Sequence, residues 1–516
     1  MTATLESPPA AKQISPWLFV PVLYFMQFLP NGIVTSLFGP LYKSLGIDNV
    51  RIAMWTGLAA LPWTFKMFWG PLVDLNSTKR RWTMVMQVLL TITLLLTAGA
   101  MHMPGFFVLT VILMFLMATL SATHDIACDG LYLMSLDRVR QASFSGVMAA
   151  FSRLGRLFID SGLVVLAGKL IKHGVNAQSA WMMALGLCAL LYGVGAIWNV
   201  FVLPRPAADI PVADVAEGER MKNLWRTLTV VAAGVVAYYF INGIVQLVGY
   251  AIFRSVTSIA IPKNWNLTHS ELIQQIIKIG VCAALLPPLW MLILRQVRGT
   301  TMGDAFLGYV RQPGFGAILA FIVFYRFGEA MIFAMAPLFI LDKRELGGMG
   351  VALDDLGTIK GIAQVVGLMV GGLVGGWYIS RAGLRRAFWP LVVCMHVPNL
   401  LYVWAAFTLP GKLALYPVVF FEAVGYGAGF AGYFVFLMQV AQRGKFVTTH
   451  YAIGTGLGAL FITFATILAG IVQSVFGYLG VFIAACIFTI PGTLTLLFIP
   501  LDKTPSPVSA SASAGH

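Results

Sequence analysis

About fourteen stretches of this chain stay apolar over the ~20 residues needed to cross roughly 30 Å of hydrocarbon. A backbone in lipid must satisfy its own polar groups, so each stretch reads as an α-helix. Before the middle of the chain they begin near Trp17, Ala53, Trp82, Phe106, Phe144 and Trp181, and after it near Phe315, Leu353, Ala387, Leu413, Thr448 and Phe476. These are two sets of six, with two more apolar runs between them, near 227–253 and 272–294. The fold class is therefore an all-α polytopic membrane protein.

A short charged pattern marks the two sets as copies of one unit. Gly70 is followed by Asp74 and then Lys79-Arg80-Arg81, and Gly376 by Ser380 and then Arg385-Arg386. Each pattern ends one apolar run and precedes the next. Two homologous bundles that rock against each other are how many secondary transporters expose one site alternately to two sides.

The formal charge of +14 would suggest a nucleic-acid partner in a soluble chain. Here charged residues are only 10% and hydrophobic residues 59%, with mean hydropathy +0.84, where soluble domains carry about a quarter charged. The basic residues instead fill short connections: Lys79 to Arg81, Arg138 and Arg140, Arg205 through Arg226, Arg295 to Arg311, Arg381 to Arg386, and Arg443 with Lys445. If the helices alternate, all of these share one face, which the positive-inside rule assigns to the cytoplasm with both termini. Lys169, Lys172, Lys343 and Arg344 fall on the other face.

The expected organisation is a cytoplasmic tail (1–15), a first six-helix bundle (16–203), a linker with two extra spans (204–312), a second six-helix bundle (313–501) and a disordered tail (502–516). The first tail lacks a basic region feeding a short apolar core, so the first span reads as retained. Cys128, Cys188, Cys282, Cys394 and Cys486 sit singly in apolar runs, as packing residues and not as a disulfide or zinc framework. Asn266-Leu267-Thr268 is a glycosylation-type triplet on the expected outer side. No cofactor or metal is implied, and a monomer is expected.

Ionisable groups inside spans carry function, because each costs on the order of 2.5–3.5 kcal/mol at the bilayer centre on insertion scales. They are Lys66, His124, Asp125, Asp129, Arg153, Arg156, Asp160, Arg326, Glu329, Lys360 and Glu422. Helical rise places Arg153 roughly 18–20 Å from the basic face, near the midplane, with Arg326 at a similar level. Glu422 is a third cavity candidate, while Asp125 and Asp129 lie closer to the basic face and share one helix face. Arg153, Arg156 and Arg326 read as clamps for a substrate carboxylate or phosphate. The competing reading is self-neutralisation, by Arg156 with Asp160 and by Arg326 with Glu329.

Asp125, Asp129, Glu329 and Glu422 read as proton-coupling groups, because desolvation disfavours a charged carboxylate. A salt-bridge gate with Lys66 is the alternative for the two aspartates. His124 either shuttles protons or is a hydrogen-bonded packing residue. The motif residues Gly70, Asp74, Lys79, Arg80, Arg81, Arg385 and Arg386, with Lys66, read as a gate that forms in one conformation and releases in the other. Tyr24, Trp63, Tyr325 and Tyr433 are aromatic candidates for substrate contact, or are packing between helices.

The twofold plan with the Gly70 to Arg81 motif resembles the major facilitator superfamily. Within it, Leu61-Pro62-Trp63-Thr64-Phe65-Lys66 running on to Asp74 resembles the second helix of AmpG-like muropeptide permeases and acetyl-CoA transporters. His124-Asp125-Ile126-Ala127-Cys128-Asp129-Gly130 is similar to their D-I-A-x-D motif, Tyr325-Arg326-Phe327-Gly328-Glu329-Ala330 to their aromatic-basic-x-Gly-acidic-Ala stretch, and Phe420-Phe421-Glu422 to their F-F-E. The resemblance covers about Pro16 to Leu501 and includes the central pair. Gly130 stands where AmpG has alanine, His124 where glutamine is expected, and the connection 346–353 is longer than the family norm.

The resemblance implies proton-driven uptake of an anhydro-muropeptide, GlcNAc-anhydroMurNAc with or without peptide, across a bacterial inner membrane as part of peptidoglycan recycling. Expected partners are a small-molecule substrate, protons and the lipid bilayer, with no nucleic acid. Other amphiphilic or anionic solutes remain open: an acyl-CoA, a siderophore or an amino sugar. A membrane-embedded enzyme such as an acyltransferase is the rival class, but the chain has no H-E-x-x-H, G-x-S-x-G or cysteine-histidine cluster to host that chemistry.

Overall fold

Turn chemistry cuts the apolar runs into helices. Thr78 Oγ1 accepts the Arg81 amide at 3.2 Å and Asp137 Oδ1 the Val139 and Arg140 amides at 3.0 and 2.9 Å, so two basic loops end on side-chain caps. Gly477, at φ 68°, breaks what would otherwise be one continuous helix of two spans, a conformation that a side chain resists.

The computed structural model describes residues 14–47, 49–59, 61–211, 217–255, 269–351 and 353–501. The tail up to residue 13, the Asn266-Leu267-Thr268 triplet and the final tail from 502 lie outside the described residues. The first bundle holds α1 (Pro16–Ser44), α2 (49–59 and 61–76), α3 (Lys79–Ala100), α4 (Phe106–Ser135), α5 (138–172) and α6 (Ala177–Val202). The central pair is α7 (Glu217–Ser255) and α8 (His269–Val297). The second bundle holds α9 (Phe315–Leu341), α10 (353–382), α11 (Leu384–Thr408), α12 (Lys412–Ala441), α13 (Val447–Gln473) and α14 (Val475–Thr495).

Among the described residues, 11 helices are long and apolar enough to cross a membrane by length and composition. With α2, α5 and α7 the architecture is two six-helix bundles plus a central pair. The interrupted α2 and the charge-bearing α5 are less uniformly apolar because they carry Lys66, Arg153, Arg156 and Asp160. No strand occurs among the described residues.

Each bundle has its own apolar core, one including Leu29, Leu94, Met117 and Tyr192, the other Met331, Phe339, Tyr402 and Phe482. Of the cysteines, Cys128 and Cys188 are buried, whereas Cys394 is exposed, a correction to its reading as a packing residue. Residues 346–351 of the longer connection fold back on α9, with the Met349 and Val351 amides donating to the Phe339 and Ile340 carbonyls at 2.8 and 2.9 Å.

Glycines let the bundles touch. A Cβ at Gly146 of α5 would overlap the Gly372 carbonyl of α10, and one at Gly376 would lie 2.8 Å from the Ala142 carbonyl. On the other side of the seam, a Cβ at Gly70 of α2 would lie 3.2 Å from Thr449 Cα of α13. All of these contacts lie in the helix halves nearest the basic loops. The seam is closed there.

Candidate functional site

Above the closed seam lies a cavity of about 330 Å³ walled by both bundles. Tyr24, Gln27, Phe28 and Asn31 form one face of α1 at helical spacing, and Tyr451, Thr455, Ala459 and Ile462 do the same on α13. Asn31 and Ile462 each lie fifteen residues into their helices, roughly 22 Å from the basic-loop end at 1.5 Å per residue. Tyr24 and Tyr451 lie eight and four residues in, so the cavity runs from the basic-loop half of the bilayer through its middle.

The structure brings Tyr24, Trp63, Lys66, Asp125, Asp129, Arg153, Arg326 and Tyr433 onto this wall. Asp125 forms an ion pair with Lys66 and accepts from Gln27 Nε2. Asp129, one turn further along α4, accepts the Tyr24 hydroxyl at 3.1 Å and has no ion-pair partner among the described residues. The two aspartates were expected nearer the basic face than the cavity. Asp129 lies six residues from the end of α4 at Ser135, and the cavity extends down to both carboxylates.

The opposing cations differ in their surroundings. Arg153 has no hydrogen-bond or ion-pair partner among the described residues, and its charged neighbours are Arg156, Arg326 and Glu422. Arg326 sits at a break in α9, between helical turns ending at Phe324 and restarting at Phe327. Its Nη2 donates to the Tyr426 hydroxyl at 2.6 Å, its guanidinium lies 4.4 Å from the Phe430 ring centroid and 5.4 Å from that of Tyr433, and its Nε is buried without a partner. Lys66 likewise lies where α2 tightens into a 3₁₀ turn. Interrupted helices at mid-membrane are a recurring source of solute contacts.

With Lys66, Arg153 and Arg326 against Asp125 and Asp129, three cations face two carboxylates. The wall carries a net +1 with both aspartates ionised and +2 with one protonated. Such a surface can hold an anion, with Trp63, Phe430 and Tyr433 offering apolar ring faces beside it.

Five expected site residues lie off this wall. Arg156 Nε donates to Asp160 at 3.0 Å and its guanidinium sits over Phe28, so here the self-neutralising pair forms. Arg326 and Glu329 do not pair. The break at Arg326 turns Glu329 inward, where it meets His396 Nδ1 at 3.0 Å and Asn399 Nδ2 at 2.6 Å. Tyr325 stands behind Tyr433, rings parallel at 5.8 Å, and donates to the Gly429 carbonyl. Glu422 is buried in α12 with Lys360, Glu329 and Arg153 as charged neighbours. His124 faces α3, 3.1 Å from Gln87 Nε2, with the Cys128 thiol beside it.

Sequence reasoning missed Gln27, Asn31, His396 and Asn399. The two amides of α1 recur with Tyr24 at helical spacing inside an apolar span, and that spacing was a usable signal. His396 and Asn399 became visible only as partners of Glu329.

The repeated motif behaves differently in its two copies. Asp74 and Lys79 pair at 3.1 Å, fully buried, and Asp74 Oδ2 accepts both the amide and the hydroxyl of Thr449 in the first turn of α13. Asp209 caps α3 through the Lys79 and Arg80 amides at 2.6 and 2.9 Å, and the Arg80 guanidinium donates to the Val200 and Leu203 carbonyls. Arg81 is exposed. In the second copy Ser380 bonds only within its own helix, and Arg385 and Arg386 are exposed. A short hydroxyl cannot span to the other bundle or carry the charge that a helix start attracts.

Known proteins share this architecture. The fucose:proton symporter FucP of E. coli superposes with a TM-score of 0.57 at 12% identity, covering 94% of this chain and 97% of that one. The proton:xylose symporter XylE, solved with 6-bromo-6-deoxy-D-glucose, gives 0.56 at 12% identity over 96% and 97%. In sequence, Putative transporter AmpG 4 of Rickettsia conorii is 20% identical across 93% of this chain and 95% of its own length. The Anhydromuropeptide permease of Escherichia coli K12 is 24% identical over 35% of each chain. The family model of the Major Facilitator Superfamily matches residues 22–463, and the chain belongs to that superfamily.

Proposed function

We propose that this protein is a proton-coupled secondary transporter that takes up an anionic, sugar-containing solute such as an anhydro-muropeptide across a bacterial cytoplasmic membrane. The observation that carries this reading is the mid-membrane cavity with a surplus cation and one carboxylate, Asp129, that lacks an ion-pair partner among the described residues. A solute carboxylate completes Arg153 and Arg326, Trp63 and Tyr433 flank its sugar ring, and a proton on Asp129 raises the anion affinity of the same wall. The anhydromuropeptide permease among the sequence relatives supports the substrate class. The proton symporters among the structural relatives support the coupling. With the basic loops in the cytoplasm, the closed seam bars the cavity from that side.

Proteoliposomes loaded with buffer and offered anhydro-muropeptides, amino sugars, siderophores and acyl-CoA under an inward proton gradient test the proposal. Accumulation of the anhydro-muropeptide that collapses with an uncoupler is the expected result. Accumulation of another solute alone replaces the substrate, and chemical turnover without a sealed compartment replaces transport.

A further inference from the structure

A second void, of about 810 Å³, lies between the central pair, α2 and the short helix Thr301–Val310. Its walls are apolar: Phe68 packs on Gly234 of α7, where a Cβ would meet the ring, and Pro287 and Trp290 of α8 face Phe306. From Pro287 to Val297 is ten residues of helix, about 15 Å, which is half of the roughly 30 Å hydrocarbon thickness. The crevice is as deep as one leaflet.

At its basic-loop end stand Arg298 and Arg311, the two charged residues on its wall. Both are exposed, and neither guanidinium has a hydrogen-bond or ion-pair partner among the described residues. The short helix roofs the crevice on that side, its Met302 and Ala305 buried and its start capped by Thr300 Oγ1, 3.2 Å from the Gly303 amide. A crevice one leaflet deep, open to the side and ending in two guanidiniums at headgroup level, has the shape and charge of a single anionic phospholipid. Neutral acyl chains alone would fill the apolar part and leave both forks empty, whereas a phosphate accepts them.

The geometry points to a specific anionic-phospholipid site between the central helix pair and α2, with the acyl chains in the crevice and the phosphate on Arg298 and Arg311. Its roof touches the gate. The Ala305 carbonyl accepts from His450 Nε2 at 3.1 Å, Gln312 Nε2 lies 3.3 Å from His450 Nδ1, and His450 follows Thr449, the partner of Asp74. A lipid seated here braces the short helix against the start of α13, which gives the extra helix pair a role in holding the closed seam.

Native mass spectrometry of the full chain in neutral detergent, titrated with phosphatidylglycerol or phosphatidylcholine, tests the site. Each arginine near an anionic headgroup is worth roughly fivefold, so the expected preference for phosphatidylglycerol is roughly 25-fold, lost in Arg298→Gln/Arg311→Gln. Ala237→Trp, which fills the crevice and leaves both arginines, is expected to displace the lipid as well. Equal retention of both lipids, phosphatidylglycerol binding unchanged in the arginine double variant, or persistence in Ala237→Trp overturns the proposal. Soluble glycerophosphate is expected not to compete at matched concentration, and competition would make this a bare anion site.

Discussion

Asp74 and Thr449 are 375 positions apart in the chain and are joined by two hydrogen bonds, 2.8 Å from the Thr449 amide and 2.7 Å from its hydroxyl. The carboxylate of the first bundle thus caps a helix of the second, while its other oxygen pairs with Lys79. One side chain ties the loop motif to the seam.

Asp74→Asn keeps an acceptor for Thr449 but strands a buried Lys79 ammonium. Breaking a buried pair costs about 3–5 kcal/mol. Inverting a two-state population takes about 5.5 kcal/mol, so a large shift towards opening on the basic-loop face is expected. Spin labels at Ser143 and Lys445 should report it as a longer, broader distance distribution, and an unchanged distribution would remove the gate role.

Asp125 and Asp129 should respond differently to the same change. Asp129→Asn retains an acceptor for the Tyr24 hydroxyl and is expected to abolish uncoupler-sensitive accumulation while solute counterflow continues. Asp125→Asn leaves Lys66 uncompensated and is expected to lower the unfolding temperature, an effect that Lys66→Met reverses in the double variant. Full concentrative uptake by Asp129→Asn would exclude that residue from coupling.

Arg153 supplies a test of the clamp. Arg153→Lys keeps the charge but loses the planar fork, so uptake of an acidic solute is expected to fall at least 10-fold, while Arg153→Ala eliminates it. A neutral analogue lacking the acid should lose little from either substitution. If both solutes suffer alike, the arginine serves the structure of the cavity and the clamp lies at Arg326.

The glycine seam predicts a steric block. Gly146→Leu cannot fit against Gly372 without separating α5 from α10, and overpacking of this kind costs about 1–3 kcal/mol or more. Transport is expected to fail with the protein still in the membrane. A cysteine at Ser145 should become reactive from the basic-loop face, where the closed seam otherwise shields it.

Helix content, the twofold plan and the ionisable residues of the cavity wall were legible in the sequence. Apolar length demands a span, and a charge inside a span demands a cavity or a partner. Asp125 with Asp129, Lys66, Arg153 and Arg326 announced themselves in this way. Spacing alone could not tell which close pairs form: Arg156 and Asp160, four apart, do pair, whereas Arg326 and Glu329 are three apart, but a break in α9 sends one to the cavity and the other to His396.

The sequence by itself determined that this chain lives in a bilayer as helices, since apolar runs of about 20 residues satisfy their own backbone there, and the repeated charged motif marked two six-helix units with a pair between them. It also determined which ionisable groups had to be accounted for inside the membrane. Only the tertiary structure decided which of them meet. Asp129 is left to Tyr24 because Lys66 reaches Asp125 first, Arg326 is held by aromatic rings from a helix about a hundred residues away, and Asp74 rather than Ser380 crosses the seam. Contacts between bundles depend on where whole helices lie against one another, and no local rule of spacing carries that information.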